Sequence, residues 1–476
     1  MFEQLKRLAR HSAIYGLGGL VSRILAVLLL PLYTHYLTTA DYGKIETLTA
    51  ASAVLVIVLR GGISSAFFRF YFDTQDAAGR IRVVRTSFWF TMTAASAGLV
   101  AGLVLAGPIA DALRLGSGGA SLTRAAAIGL WAQMNYEQLT SLFRVEERSV
   151  QFVLASLTNI LITVGATVIL VVGLHEGPLG VIVGNFTGTL IVWAILLGTR
   201  RYQLGLEFDR GLFRQMNRFG MPLVPSALAL WLVNFVDRFF VAVFKGQSEV
   251  GVYSVAVRIS SAIVFLLVAF RTAWPAFAYS IEDDREARRT YAYVLIYLLY
   301  VACWMSLALG ALSPWLTRLL TTPRFQRASE AVALLAFAGA AYAGYTVLAI
   351  GSGRARRTQL NWVVSGAAAA VNVGLNFALI PPYGMEGAAV STLVSYVVLF
   401  VGMWLYSQSV YPVPYQWRRI LTLSGAAVAL TVLVKAAHLP LAGAILLVLA
   451  YPFTLAPLGF YLPAERARLR RLVPGG

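Results

Sequence analysis

The chain has 476 residues, 58% hydrophobic and 13% charged, with a mean hydropathy of +0.72 and a formal charge of +18. Soluble domains carry about a quarter charged residues, so this composition excludes an ordinary soluble enzyme and specifies a polytopic membrane protein. A lone cysteine, Cys303, excludes an internal disulfide.

Apolar runs of about 20 residues can cross ~30 Å of hydrocarbon as helices, and the period-2 alternation of a β-barrel is missing. The expected fold is all-α, with about 14 transmembrane helices near 12–37, 46–72, 86–107, 122–144, 152–173, 178–198, 217–244, 249–274, 289–312, 328–350, 359–380, 384–406, 419–437 and 440–461. The first apolar run continues to Leu37, too long for the h-region of a cleaved signal, and is expected as a retained span. The polar link from Thr38 to Lys44 joins it to the second span.

With the N-terminus inside, the inner segments hold 25 Lys and Arg, the outer loops and adjoining span ends 8, and the spans themselves 6. That asymmetry predicts both termini on the cytoplasmic side. It accounts for most of the net charge as an orientation signal and leaves nucleic acid without support as a partner.

An internal repeat is visible. The link Thr38-Thr39-Ala40-Asp41-Tyr42-Gly43 matches Gln247-Ser248-Glu249-Val250-Gly251 at an offset of 208, and Gly177-Pro178-Leu179-Gly180 matches Gly384-Met385-Glu386-Gly387 at 207. Two matches at nearly one offset predict two six-helix parallel repeats plus two C-terminal helices, a transporter arrangement with the substrate site between the halves. The expected organisation is an N-terminal lobe 1–200, a cytoplasmic linker 201–216, a C-terminal lobe 217–408, and two further helices with a basic tail over 409–476.

An arginine at mid-membrane depth costs about 2.5–3.5 kcal/mol even on lenient insertion scales, so charges inside spans mark function. Arg23, Arg60 and Arg258 fall centrally in spans one, two and eight, Asp237 and Arg238 in the outer third of span seven, and Glu137 in a polar patch of span four, Trp131 to Gln138. One reading is a cationic, water-accessible cavity, in which Arg23, Arg60, Arg258 and Arg238 take the phosphates of an anionic headgroup through the bidentate guanidinium fork. Glu137 and Asp237 are then ion-coupling candidates, because a buried carboxylate readily holds a proton. The other reading is structural, with Arg238 paired to Asp237 or Glu137, and Glu137 held by Arg144 or Arg60. Arg69 and Arg271, near inner ends, read as snorkelling side chains. Pro31, Pro222, Pro225 and Pro275 punctuate the spans expected to bend.

No Gly-x-x-x-x-Gly-Lys-[Ser/Thr] loop occurs, and His11, His35, His175 and His438 lack ligand spacing. Neither a cofactor nor a metal site is expected, and Glu282-Asp283-Asp284 reads as a solvated loop.

Three stretches carry a family resemblance: YGLGGLVSRILAVLLLPLYTHYLTTADYGKIETL, GGISSAFFRFYFD and NFVDRFFVAVFKGQSEVGVYSVAVRIS. With the six-plus-six repeat they resemble the multidrug/oligosaccharidyl-lipid/polysaccharide exporter superfamily, and within it the polysaccharide-transporter branch of Wzx-type oligosaccharide flippases. The resemblance implies a non-enzyme of the bacterial inner membrane. It would flip an undecaprenyl-pyrophosphate-linked oligosaccharide by alternating access, drawing on an ion gradient, for O-antigen, capsule or exopolysaccharide assembly. Lipid-linked oligosaccharide, membrane lipids, a polysaccharide polymerase and other glycan-assembly proteins are the implied partners. The rivals are a multidrug or peptidoglycan-precursor exporter of the same fold and, from another class, a membrane glycan-assembly enzyme.

Overall fold

The computed structural model describes residues 27–357, 359–463 and 465. Arg23 therefore lies outside the described residues.

Local sequence sets where helices begin. α1, Leu30–Tyr36, carries Pro31 in its first turn, where a missing N–H costs nothing. α2, Thr39–Arg60, opens on a capping box: Thr38 Oγ1 accepts from the Asp41 amide at 3.1 Å, and Asp41 accepts from the Thr38 amide at 3.3 Å. The polar stretch expected as an inter-span link is therefore mostly a helix start, since a Thr-x-x-Asp signature satisfies two otherwise orphaned amides.

Two apolar runs that read as single spans are broken at mid-length. Gly61 (φ 50°) and Gly62 (φ 75°) are left-handed and end α2, and α3 then runs Ile63–Asp73. Span eight divides likewise into α11, Gln247–Ser260, and α12, Ile263–Ser280. Hydropathy is blind to such breaks because glycine and serine scarcely lower it. Pro275, expected to close span eight, lies inside α12, which continues through it to Ser280. Span seven does open on prolines: Pro222 sits in a 3₁₀ turn and Pro225 in the first turn of α10, Val224–Lys245.

The remaining helices before span seven are α4 (Ala77–Val104), α5 (Ala106–Ala112), α6 (Gly119–Val145), α7 (Ser149–Val168), α8 (Gly177–Leu204) and α9 (Arg210–Gly220). After span eight come α13 (Asp284–Ala311), α14 (Ser313–Leu320), α15 (Ser329–Arg354), α16 (Asn361–Val410), α17 (Trp417–Ala436) and α18 (Leu441–Thr454). α16 turns at Gly384 (φ 57°, ψ −131°), where the sequence places the joint between spans eleven and twelve. Among the described residues there is no strand, and nine helical segments are long and apolar enough to cross a membrane. The all-α polytopic fold is as expected; the expected count of about 14 is not reproduced by that criterion.

Two compact units result. Among the described residues, one takes the chain up to Ser254 together with Asn372–Ala388, and the other takes the rest, from Val255 to Val371 and from Ala389 on. The first is cored by Ile63, Phe67, Phe88, Leu142 and Met216, where α3, α4, α6 and α9 meet. The second is cored by Tyr291, Leu295, Leu299, Ala343, Val347, Leu423 and Tyr451, where α13 packs against α15, α17 and α18.

Candidate substrate site

Arg60 occupies the last turn of α2, immediately before the Gly61–Gly62 break. A helix C-terminus carries partial negative charge from its unpaired carbonyls, so the break itself stabilises a guanidinium at a depth where one would otherwise be costly. Gly62 is tightly placed: a Cβ there would lie inside the Gly220 backbone at the end of α9. The break is thus held by two backbones in contact.

From this point Arg60 Nη1 reaches Glu137 Oε2 of α6 at 2.7 Å, and Nη2 donates to the Met134 carbonyl at 3.3 Å. Glu137 Oε1 accepts from Gln133 at 2.9 Å. The side chains remain 15% and 36% exposed, and they open on a cavity of about 170 Å³ lined also by Ser64, Gln138, Ser141, Arg144 and the rings of Phe67 and Phe68. Ser64 belongs to the first turn of α3, whose amides point toward its N-terminal end. The wall thus offers two guanidinium groups, two hydroxyls and an amide against one carboxylate, in room for a few waters or a small anionic group. Arg144 stacks over Phe68 and Phe152 at 5.7 and 5.3 Å.

Not all of the polar patch on span four faces this cavity. Gln138 takes a second role, donating to Ser87 of α4 at 3.0 Å, and Trp131 donates to Ser96 of α4 at 3.1 Å. Much of its polarity is interhelical hydrogen bonding, the usual glue between membrane helices.

Asp237 and Arg238 lie elsewhere. Arg238 Nη1 contacts Asp237 Oδ1 at 3.3 Å and donates to the Asn234 carbonyl at 2.9 Å, while its Nε stands 3.8 Å from Glu46 Oε2 of α2. Tyr253 of α11 donates to Asp237 Oδ2. The three charged side chains are only 3–11% exposed. Glu46 and Arg60 are fourteen residues apart on one helix, about 21 Å at 1.5 Å per residue. The structure therefore brings Arg60 to Glu137 and Arg238 to Asp237, as two separate sites rather than one. Of the pairings left open by the sequence, Glu137 takes Arg60, and Arg238 takes Asp237.

Next to the Arg238 cluster, α2 and α11 cross backbone to backbone. A Cβ on Gly43 would lie inside the Gln247 carbonyl, and one on Gly251 inside the Thr39 carbonyl. The contact is reciprocal under the repeat offset of 208, since residues 39 and 43 plus 208 give 247 and 251. Thr39 and Ser248 hydroxyls meet at 2.5 Å, Thr47 donates to Gln247 at 2.9 Å, and Gln247 donates to the Leu113 carbonyl at 2.8 Å. Trp231 of α10 adds a bond to the Ala50 carbonyl of α2 at 3.1 Å.

Arg258, in the other unit, is half-buried in the last turn of α11, three residues before the Ser261–Ala262 break begins. Its setting repeats that of Arg60: an arginine closing a half-helix in the middle of a span.

Compared with known families, residues 34–330 match the one described as "Polysaccharide biosynthesis protein". That is well over half of the chain. The chain belongs to the polysaccharide biosynthesis protein family.

A curated relative of this family member is the amylovoran biosynthesis protein AmsL of Erwinia amylovora, 27% identical over 176 residues. The match covers 36% of this chain and 45% of AmsL, less than half of that protein's length. Among solved structures, the lipid II flippase MurJ in an inward closed conformation superposes with a TM-score of 0.74 at 14% identity, covering 92% of this chain and 98% of MurJ. An inward-facing multidrug resistance MATE family transporter, described as of the MOP superfamily, gives 0.69 at 14% identity, over 86% and 96%. Identities this low carry the fold alone, which is the polytopic transporter fold that the sequence resemblance implied. The protein is a multi-pass member of the polysaccharide biosynthesis protein family.

Glu46 and Tyr253, which complete the Arg238 cluster, are not among the residues the sequence singles out. Glu46 stands at the predicted boundary of span two and Tyr253 is one aromatic among 22 tyrosines, so neither looked out of place. The signal for Glu46 was the capping box: it starts the helix at Thr39 and puts Glu46 two turns inside.

Proposed function

We propose that the protein is a flippase carrying an anionic lipid-linked oligosaccharide, of the undecaprenyl-pyrophosphate type, across the bacterial inner membrane by alternating access, for O-antigen, capsule or exopolysaccharide assembly. The observation that carries this reading is Arg60. It sits at a mid-span break, holds an ion pair that is partly open, and faces a cavity with a second arginine, two serines and a glutamine. A pyrophosphate needs such donors, and arginine supplies them in a fork that stays charged. Arg258 and Arg23 are proposed to bind the headgroup with it, while Arg238 is proposed to hold helices together. Glu137 is the proposed coupling site: when a phosphate takes the Arg60 fork, the carboxylate left behind is neutralised by a proton. Asp237 is the second candidate. Lobes 1–200 and 217–408 are proposed to move against one another, with both termini cytoplasmic and a polymerase or other glycan-assembly protein as downstream partner. A multidrug cation exporter would require a predominantly acidic lining, which two arginines and one carboxylate do not provide.

The test is transport of a lipid-pyrophosphate oligosaccharide into the outer leaflet of proteoliposomes. Arg60→Ala should lower the rate at least tenfold while insertion and thermal stability are kept, and an unchanged rate would sink the headgroup-binding role. Glu137→Gln should remove any dependence on a pH gradient; a persisting dependence would move the coupling site elsewhere.

A further inference from the structure

The connection between α8 and α10 folds into a helix of its own, α9. α9 begins on Asp209, whose Oδ1 accepts from the Leu212 amide at 2.9 Å. One face of the helix carries Leu212, Phe213, Met216 and Phe219. Met216 is fully buried, Phe213 meets Phe90 of α4 at 4.8 Å, and Phe219 meets Phe70 of α3 at 6.4 Å. The helix is therefore anchored to the protein by its apolar side. Arg210, Arg214 and Arg218, spaced four apart, form one exposed stripe on the other side, and exposed Arg201 precedes them.

Two further observations give that stripe a direction. First, both acidic residues of the connection are used: Asp209 caps the helix, and Glu207 pairs with Arg85 at 2.6 Å. Among the described residues, none of the four arginines has an ion-pair partner. Second, the flanks of the helix expose large apolar side chains. Leu206 is 94% exposed, and Tyr202, Phe208, Met221 and Leu223 are also exposed. An orientation signal needs basic residues anywhere in an inner loop. It does not need them on one face, unpaired, between bare apolar side chains. That combination matches the membrane interface, where apolar groups enter the acyl boundary and arginines meet headgroup phosphates.

We propose that the α9 arginine stripe is a docking surface for anionic phospholipid headgroups of the leaflet into which it is anchored, holding this end of span seven at the interface. Each basic residue near an anionic leaflet contributes about 1 kcal/mol, roughly fivefold in affinity, so three together give on the order of a hundredfold.

The experiment uses the purified full-length chain and native mass spectrometry to measure retention of added phosphatidylglycerol against phosphatidylcholine. The native protein should retain phosphatidylglycerol preferentially. The triple variant Arg210→Gln, Arg214→Gln, Arg218→Gln should lose at least tenfold of that affinity with its elution profile and phosphatidylcholine retention unchanged. The corresponding triple Lys variant should keep the preference, because a surface potential counts charge. Equal retention by the Gln triple, or loss in the Lys triple as large as in the Gln triple, overturns the proposal. So does displacement of phosphatidylglycerol by an equal concentration of inorganic pyrophosphate, which would make the stripe a diphosphate site instead of a lipid-facing surface. The readout involves no transport and stands or falls separately from the flippase reading.

Discussion

Helix α2 carries an arginine site at each end, and the two are built on opposite terms. At its start, Arg238 lies almost without solvent among Asp237, Glu46 and Tyr253, beneath a glycine–glycine crossing that admits no side chain. At its finish, Arg60 has one carboxylate partner, a partly open side chain and a cavity beside it. A guanidinium buried between two carboxylates is closed off from a ligand by the packing around it, and removing it would strand buried charge. A guanidinium with one partly solvated partner can exchange that partner for a phosphate at small cost. Burial, rather than residue type, separates an arginine that holds the fold from one positioned to bind.

The comparison breaks most sharply at Arg238. Arg238→Ala leaves two carboxylates without their fork in a buried setting, a loss of about 3–5 kcal/mol by analogy with other broken buried pairs. The thermal unfolding midpoint of detergent-purified protein should fall steeply, whereas Arg60→Ala should move it by no more than a partly exposed pair does, about 1 kcal/mol or less. Similar midpoints for the two variants would erase the distinction.

A smaller effect is expected from the crossing that shelters the Arg238 cluster. Gly43→Ala places a methyl group inside the Gln247 carbonyl, so α2 and α11 must separate locally. A cysteine pair at Thr39 and Ser248, whose hydroxyls meet at 2.5 Å, should cross-link readily in the otherwise native chain. It should cross-link several-fold less with Gly43→Ala added. Undiminished cross-linking would mean that the backbones tolerate the methyl group without parting.

The smallest effect sharpens the scale between the two extremes. Arg419 and Glu465 pair at 2.8 Å with 7% and 18% side-chain exposure. Burial works to raise the Glu465 carboxyl, but hydrogen bonds from Tyr297, the Leu462 amide and Arg419 outweigh it and hold it below the ordinary value. A carboxyl depressed in the folded state contributes stability above its unfolded pKa and loses it as pH falls through the folded one. Glu465→Gln should therefore lower the unfolding midpoint slightly at neutral pH, by about 1 kcal/mol or less, and flatten its decline in acid. A variant as acid-sensitive as the native chain would show that other carboxylates set that decline.

The sequence by itself determined the class of protein, because the length and apolarity of its runs admit only membrane-spanning helices. It showed the repeat, whose offset returns in the reciprocal crossing of Gly43 and Gly251, but the Thr38–Asp41 capping box reads along the chain only as a polar link. It picked out Arg60, Glu137, Asp237 and Arg238, because charge in an apolar run stands out one residue at a time. Only the tertiary structure decided how those charges pair, since pairing depends on which helix faces are in contact. It placed Glu137 with Arg60 and drew the unremarked Glu46 to Arg238. It also cut spans two and eight in half, at a left-handed glycine pair in one and at the Ser261–Ala262 turn in the other, neither of which hydropathy registers. Those cuts set Arg60 and Arg258 at helix ends, where a mid-membrane arginine is stabilised by the carbonyls the break leaves open.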